Sequence, residues 1–165
     1  MAAGNTYVPI ATLTTSGGEA SVSFTSIPGT YTDLVLQGVV TSGVAYELFM
    51  RYNSDTGTNY SNTYMEGNGT SATSARSTST SLMSIAYSNN SNPNPMITQI
   101  QNYSNTTTYK TMLSRSSAAG ASVMAFVGLW RNTAAITSIE LRMSSGGTTV
   151  FAANTVLSLY GIAAA

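Results

Sequence analysis

The residues of this chain that could do chemistry are few, and most of them are carboxylates. The sequence contains no histidine and no cysteine, so it lacks the commonest general base, the strongest side-chain nucleophile and two common transition-metal ligands. A catalytic site would need paired carboxylates, as in glycosidases that place two of them across a groove. The candidates are Glu47, Asp55, Glu66 and Glu140.

The spacing of two of these carboxylates favours a structural role. Glu47 and Arg51 are an even number of residues apart, as are Glu140 and Arg142, so each pair shares one face of a predicted strand. Exposed ion pairs explain both and contribute less than ~1 kcal/mol each. We therefore expect that the protein is not an enzyme and holds no cofactor.

The segment from Asn53 to Asn59 contains oxygen-bearing side chains that suit calcium. If Asp55 is counted as position one of a calcium loop, Tyr60 falls at position six, where the sharp turn requires glycine. Too few carboxylates remain nearby to hold a divalent cation tightly. Since Asn, Asp and Gly are also the usual turn formers, we expect a hairpin loop here and no metal site.

Aromatic side chains offer a further kind of site, because they suit both sugar rings and protein interfaces. The residues in question are Tyr46, Tyr52, Tyr60 and Tyr64, with Phe49 and Trp130 elsewhere. Alternation along 45–53 directs Tyr46 and Tyr52 into the core and leaves Phe49 outside between two opposite charges. We predict a protein interface there. Its candidate residues are Phe49, Arg51, Glu47 and Arg76.

The charge balance limits the partners. Only 7% of the residues are charged, and six basic residues cancel six acidic ones. Phosphate binding needs clustered Lys and Arg, so we expect no nucleic-acid partner. The longest apolar run, 118–130, is broken by Ser122 and too short to span a bilayer, so we expect no membrane partner. A hydrophobic fraction of 42% is enough for the core of one domain.

The elements that would position these residues are strands, because apolar residues recur at every second position. Ten runs show this pattern: 7–14, 19–25, 32–41, 45–53, 80–87, 96–103, 109–115, 122–131, 136–143 and 155–161. Gly17-Gly18 and Gly146-Gly147 have the composition of tight hairpin turns, which require the positive φ that glycine supplies. The sequence predicts an all-β protein, an antiparallel β-sandwich of jelly-roll type with about ten strands and very little helix.

We assign residues 1–165 to a single β-sandwich domain. Residues 1–6 form a short N-terminal arm in this prediction. Two segments without apolar alternation, 68–81 and 88–95, are predicted to be long loops, since they consist almost entirely of Gly, Ser, Thr, Ala, Asn and Pro.

Five phrases of the sequence together resemble a family of β-sandwich virion proteins of tailed bacteriophages, including phages of cyanobacteria. They are Phe24-Thr-Ser-Ile-Pro-Gly-Thr-Tyr-Thr-Asp-Leu-Val-Leu, Leu48-Phe-Met-Arg-Tyr-Asn, Gln99-Ile-Gln-Asn-Tyr through Tyr109-Lys-Thr, Gly128-Leu-Trp-Arg-Asn-Thr-Ala-Ala-Ile-Thr-Ser-Ile, and Leu157-Ser-Leu-Tyr-Gly-Ile. The resemblance spans about residues 7 to 162. Members of the family are capsid decoration (cement) proteins or knob domains of head and tail fibres.

The resemblance implies a jelly-roll domain, often trimeric, with no catalytic residues. We expect a decoration protein rather than a fibre tip, because strand patterns occupy the chain almost from end to end and leave no stalk. Its expected partners are the major capsid protein and further copies of itself in a homotrimer. Its expected location is the capsid exterior of the virion, after synthesis in the host cytoplasm. The alternative is a receptor- or glycan-binding knob.

Overall fold

The computed structural model describes residues 6–88, 91–118, 120–144 and 148–163, and in these ranges the chain forms twelve β-strands and no helix. The strands are β1 (Tyr7–Thr14), β2 (Ser21–Phe24), β3 (Asp33–Val40), β4 (Tyr46–Tyr52), β5 (Tyr60–Gly67), β6 (Ala72–Thr80), β7 (Met83–Ser88), β8 (Asn94–Gln101), β9 (Lys110–Ala118), β10 (Ser122–Trp130), β11 (Ile139–Arg142) and β12 (Val156–Ile162). All ten predicted strands are present, and β5 and β6 are additional.

The strands form two antiparallel sheets, as predicted. The larger sheet has the order β1-β12-β3-β8-β9-β10-β5-β6, and the smaller has the order β2-β11-β4-β7. Without the hairpins β5–β6 and β9–β10, the remaining eight strands pair in the jelly-roll pattern, first with eighth and second with seventh, in two four-stranded sheets. The two inserted hairpins lie side by side and extend one sheet from four strands to eight.

The core lies between the sheets and follows from the alternation along each strand. In β4, Tyr46, Leu48, Met50 and Tyr52 are buried, while the residues between them are half-buried. β9 and β10 alternate in the same way. The prediction that one face of the 45–53 strand fills the core is confirmed.

The prediction of a long loop over 68–81 is wrong. Residues 72–80 form β6, which pairs with β5 except for a bulge at Ser79. Asn68 begins the connecting turn, and its side-chain oxygen accepts hydrogen bonds from the backbone N–H groups of Thr70 and Ser71. Gly69 supplies the positive φ of +88°. The sequence pattern did not predict this strand, because eight of its nine residues are exposed and no apolar alternation marks it.

The second predicted loop, 88–95, is shorter than expected, since β7 ends at Ser88 and β8 begins at Asn94. Residues 89 and 90 lie outside the described residues, as do residues 1–5 of the predicted N-terminal arm.

The predicted hairpin at Gly17-Gly18 is also wrong, although both residues have the expected positive φ, +95° and +97°. β1 and β2 belong to different sheets, so this segment crosses from one layer to the other. Glu19 holds the crossing in place by accepting hydrogen bonds from Ser16 and from the Gly17 N–H. The Ser16 hydroxyl is the largest cause that lowers the pKa of Glu19 to about 2. The Gly146-Gly147 turn lies outside the described residues.

Candidate functional site

Three of the four predicted interface residues lie together on the outer face of the four-stranded sheet. Glu47, Phe49 and Arg51 alternate with the buried residues of β4, and each is half-buried. Phe49 pairs across the sheet with Arg142 on one side and with Ser84 on the other. The aromatic ring therefore sits among polar and charged neighbours, on what we call the charged face.

The ion pairs of the charged face centre on Glu140. Its two carboxylate oxygens lie 3.3 Å from Arg51 Nη1 and 3.0 Å from Arg142 Nη1, so the predicted Glu140–Arg142 pair is confirmed. The predicted Glu47–Arg51 pair is wrong. Four residues along a strand span about 13 Å, whereas Arg51 and Glu140 are directly opposite, which brings Cβ atoms to about 5 Å. The Glu47 carboxylate instead accepts a hydrogen bond from the Ser84 hydroxyl at 2.5 Å.

Arg76, the fourth predicted residue, does not join this cluster. It lies on β6 in the larger sheet, opposite Thr63. Its guanidinium makes no ion pair with any residue in the described part of the chain. The structure therefore places the four predicted residues on two different sheets.

The outer face of the eight-stranded sheet is almost free of charge. Two cross-strand rows run over all eight strands: Thr12, Ser158, Gln37, Ile97, Arg115, Ala125, Met65 and Ser74; and Pro9, Tyr160, Val35, Gln99, Leu113, Val127, Thr63 and Arg76. Arg115 and Arg76 are the only charged side chains in these rows. We call this surface the neutral face.

Exposed aliphatic and thioether side chains concentrate on the neutral face. Six residues of the larger sheet that point outward are 44 to 63% exposed: Val39, Met65, Leu113, Val123, Val127 and Val156. Leu113 and Val127 are direct cross-strand neighbours. Scattered exposed apolar residues are ordinary, whereas a group of them on one face is a candidate contact surface. The strand patterns of the sequence do not mark this surface.

A third feature is a groove of about 410 Å³ between the free edge of β7 and the inserted hairpins. Its lining, which defines the edge groove, consists of Glu47, Tyr64, Glu66, Tyr87, Met124 and Phe126. The rings of Tyr64 and Phe126 pack 6.0 Å apart. Of the four candidate carboxylates, the structure brings Glu47 and Glu66 to one groove. Aromatic faces beside carboxylates can contact both the C–H faces and the hydroxyl groups of a sugar.

Most of the predicted aromatic platform is core. Tyr46, Tyr52, Tyr60 and Trp130 are at most 3% exposed. Trp130 stacks on Tyr60 at 6.2 Å and meets Tyr52 edge-on at 5.4 Å. Burial is the main cause that raises the pKa of Tyr52 and of Tyr60. Of the residues proposed as a glycan platform, Tyr64 is the one that reaches a groove.

Asp55 stabilises the connection between the two sheets. Its carboxylate accepts hydrogen bonds from Trp130 Nε1 at 2.7 Å, from Asn59 Nδ2 at 2.9 Å and from the Gly57 N–H at 2.8 Å. Burial acts to raise the pKa of Asp55, but these hydrogen bonds outweigh it and the pKa lies below its ordinary value. Both carboxylate oxygens are engaged in these hydrogen bonds. The described residues contain no group of three or more His, Cys, Asp or Glu side chains that could hold a metal ion.

Comparisons with known proteins identify no family. No family model and no curated protein matches the chain. A solved structure of the alginate lyase Aly36B, as a mutant in complex with an alginate tetrasaccharide, shows 5% sequence identity over 92% of this chain and 72% of the lyase chain, with a TM-score of 0.23. Within the described ranges, no helix is available that could cross a membrane.

Proposed function

We propose that this protein is a capsid decoration (cement) protein of a tailed bacteriophage, and that it stabilises the assembled head shell without catalysing a reaction. The partners in this proposal are the major capsid protein and two further copies of the same chain. The site of action is the exterior of the virion.

The neutral face is the observation that supports this proposal best. A contact with a capsid lattice needs a broad surface that loses little when it leaves water. Eight strands supply the breadth, and the exposed Leu113, Val127 and Met65 supply apolar area. Burying such area contributes about 25 cal/mol per Å². The sequence resemblance to virion β-sandwich proteins points to the same role.

The mechanism is linkage. A protein that binds the assembled shell, and not its separated subunits, shifts the equilibrium towards the shell by mass action. Two charged side chains in the sixteen positions of the cross-strand rows leave little Coulomb energy in the contact. Salt screens charge pairs but not apolar burial, so the contact between this protein and the capsid should remain stable over a wide range of ionic strength. A trimer would present three neutral faces to a site of threefold symmetry.

Cryo-electron microscopy of the virion tests the proposal. We expect density for the β-sandwich on the head shell, with its eight-stranded sheet towards the capsid surface. Density confined to a tail or spike tip would contradict it. A complementary experiment mixes the purified protein with expanded capsids that lack it, where we expect saturable binding and a higher shell melting temperature.

The edge groove favours a second candidate function, the binding of host glycan by a receptor-binding knob. Tyr87 is 37% exposed at this groove, and the carboxylate of Glu66 has no hydrogen-bond partner among the described residues. Two carboxylates repel acidic sugars, so the chemistry fits neutral oligosaccharides. Isothermal titration with neutral hexasaccharides tests this candidate. We expect Tyr87→Ala to abolish binding, and Tyr109→Ala, a substitution at an exposed loop residue, to retain it. If the native protein does not bind these sugars, the glycan-binding function is refuted.

A further inference from the structure

Strand β6 occupies an unusual position at the margin of the larger sheet. It pairs with β5, and no other described strand makes more than marginal contact with it. Residues 72–79 are exposed, and Thr80 is half-buried. Both faces of the strand are therefore open to solvent, along with the backbone groups of its outer edge. A strand in this position has little burial to stabilise it.

Local interactions nevertheless keep β6 extended. The Asn68 side chain caps the turn that leads into it, and the Thr80 hydroxyl donates to the Leu82 carbonyl at 2.8 Å at its other end. Seven consecutive residues, 72–78, are paired with β5 in register, and a bulge at Ser79, which has a positive φ of 56°, separates them from the Thr80–Tyr60 pair. The result is a preformed edge seven residues long that can accept a further strand with little ordering cost.

The other three edges of the sandwich are protected. β1 contains Pro9, which has no N–H, and its register shifts between Pro9 and Ala11. β2 has four residues. β7 is short and mostly buried. The β6 edge has no proline, its bulge lies at one end at Ser79, and Arg76 is its one charged residue. A regular edge over 72–78 beside more strongly protected ones indicates a pairing site.

A second copy of the chain is a poor match for this edge. Arg76 lies one residue from the centre of the regular run 72–78, so an antiparallel two-fold pairing of that run sets the two Arg76 side chains diagonally across the new seam, where like charges of long side chains come within reach of each other. Pairing with β1 of another copy meets Pro9 and its irregular register. The unpaired guanidinium is complementary to a carboxylate.

We propose that β6 is a docking edge that binds an extended segment of another protein by β-strand addition, with a carboxylate of that segment opposite Arg76. The added strand continues the eight-stranded sheet to nine. Main-chain hydrogen bonds supply the affinity, and Arg76 selects the register and the charge of the partner. This pairing does not depend on whether the other protein belongs to a capsid.

Nuclear magnetic resonance of the ¹⁵N-labelled full chain tests the proposal. The probe is the peptide Thr-Thr-Val-Thr-Glu-Thr-Val-Thr-Thr, with a second peptide in which Lys replaces Glu. We expect shifts of the amides of β6 and β5 and an affinity for the Glu peptide roughly threefold to tenfold above that for the Lys peptide, the size of a cross-strand charge effect. Arg76→Glu should reverse the preference.

Arg115→Glu is the matched control. It makes the same charge change on the same sheet, but β9 is three strands from β6, about 14 Å away, which exceeds the Debye length of about 10 Å at 0.1 M salt. It should keep the preference for the Glu peptide. Shifts at β1, β2 or β7 in place of β6, no shift at millimolar peptide, or equal affinities for the two peptides would overturn the proposal. So would β6 amides already protected by a dimer of the free chain.

Discussion

The two outer faces of the sandwich differ in the number and the pairing of their charged side chains. On the four-stranded sheet, Arg51 and Arg142 both bond to Glu140, and the Glu47 carboxylate bonds to Ser84. On the eight-stranded sheet, Arg115 is the charged residue of one long row, and aliphatic side chains stand exposed around it. The first face pairs these charged groups with one another or with a hydroxyl, whereas the second leaves apolar area open to water.

This difference separates a face that stabilises the fold from a face that is available for binding. Ion pairs between neighbouring strands gain energy only when both partners are held in place, and β11 and β4 hold them. Exposed valine and leucine side chains gain much less on folding than buried ones, so their grouping on one sheet suits a contact between molecules. Three substitutions test this division, and a fourth tests the turn that joins the two sheets.

The largest effect is expected from a charge placed on the neutral face. Val127→Glu puts a carboxylate beside Leu113 and diagonal to Arg115, and a bound partner would bury this charge in the middle of an apolar contact. We expect capsid binding to weaken by roughly 30- to 1000-fold, as for a central interface residue, with the melting temperature little changed. Sedimentation with purified capsids measures the binding. Tyr109→Glu is the control, and native affinity in Val127→Glu would show that the neutral face is not the contact.

The next effect concerns the charged face. Glu140→Gln leaves Arg51 and Arg142 without their counter-charge in a half-buried setting, and we expect the free energy of unfolding to fall by about 1–2 kcal/mol. Urea denaturation measures it. Glu66→Gln removes a carboxylate that has no ion pair in the described ranges and should change stability by less than about 0.5 kcal/mol. Equal losses in the two variants would refute a stabilising network.

Phe49 is the apolar exception on the charged face and tests whether this face also binds. If the predicted subunit interface includes Phe49, Phe49→Ser should raise the dissociation constant of the oligomer about tenfold, which corresponds to about 1.4 kcal/mol. The chain should remain folded, because the ring is not part of the buried core. Analytical ultracentrifugation measures the oligomer. An unchanged oligomer mass at low concentration would limit the charged face to a structural role.

The smallest effect is expected at the turn that joins the two sheets, and it depends on pH. Because hydrogen bonds hold the pKa of Asp55 below its unfolded value, its carboxylate adds stability above the unfolded pKa, and this is lost as the pH falls through the folded one. Asp55→Asn should be about 1 kcal/mol less stable than the native chain at pH 7. The difference should shrink towards pH 2. Urea titrations at both pH values decide it, and a constant difference would exclude this linkage.

The fold was largely predictable because it depends on a local pattern. Alternation alone located ten strands and placed Leu48 and Met50 in the core. β6 was missed for a physical reason, since a strand exposed on both faces carries no apolar alternation. Gly17 and Gly18 were correctly assigned positive φ, but their conformation did not reveal that the chain passes from one sheet to the other.

The candidate surfaces were less predictable, because they depend on register. Glu140 neutralises Arg51 only because β11 pairs with β4 in one alignment, and a shift of one residue would send these side chains to opposite faces. Leu113 and Val127 read as ordinary outward residues of two strands until β9 and β10 place them side by side. Glu47 and Glu66 meet at one groove although β4 and β5 lie in different sheets.

By itself, the sequence determined the chemical inventory and the class of fold. A chain without histidine or cysteine and with twelve charged residues has neither imidazole nor thiol groups, and period-two alternation leads to strands with one buried face. The tertiary structure alone decided where the charge and the apolar surface lie. Neighbours in a sheet come from distant parts of the chain, so only the pairing of the strands gathers charges on one face and leaves the other neutral.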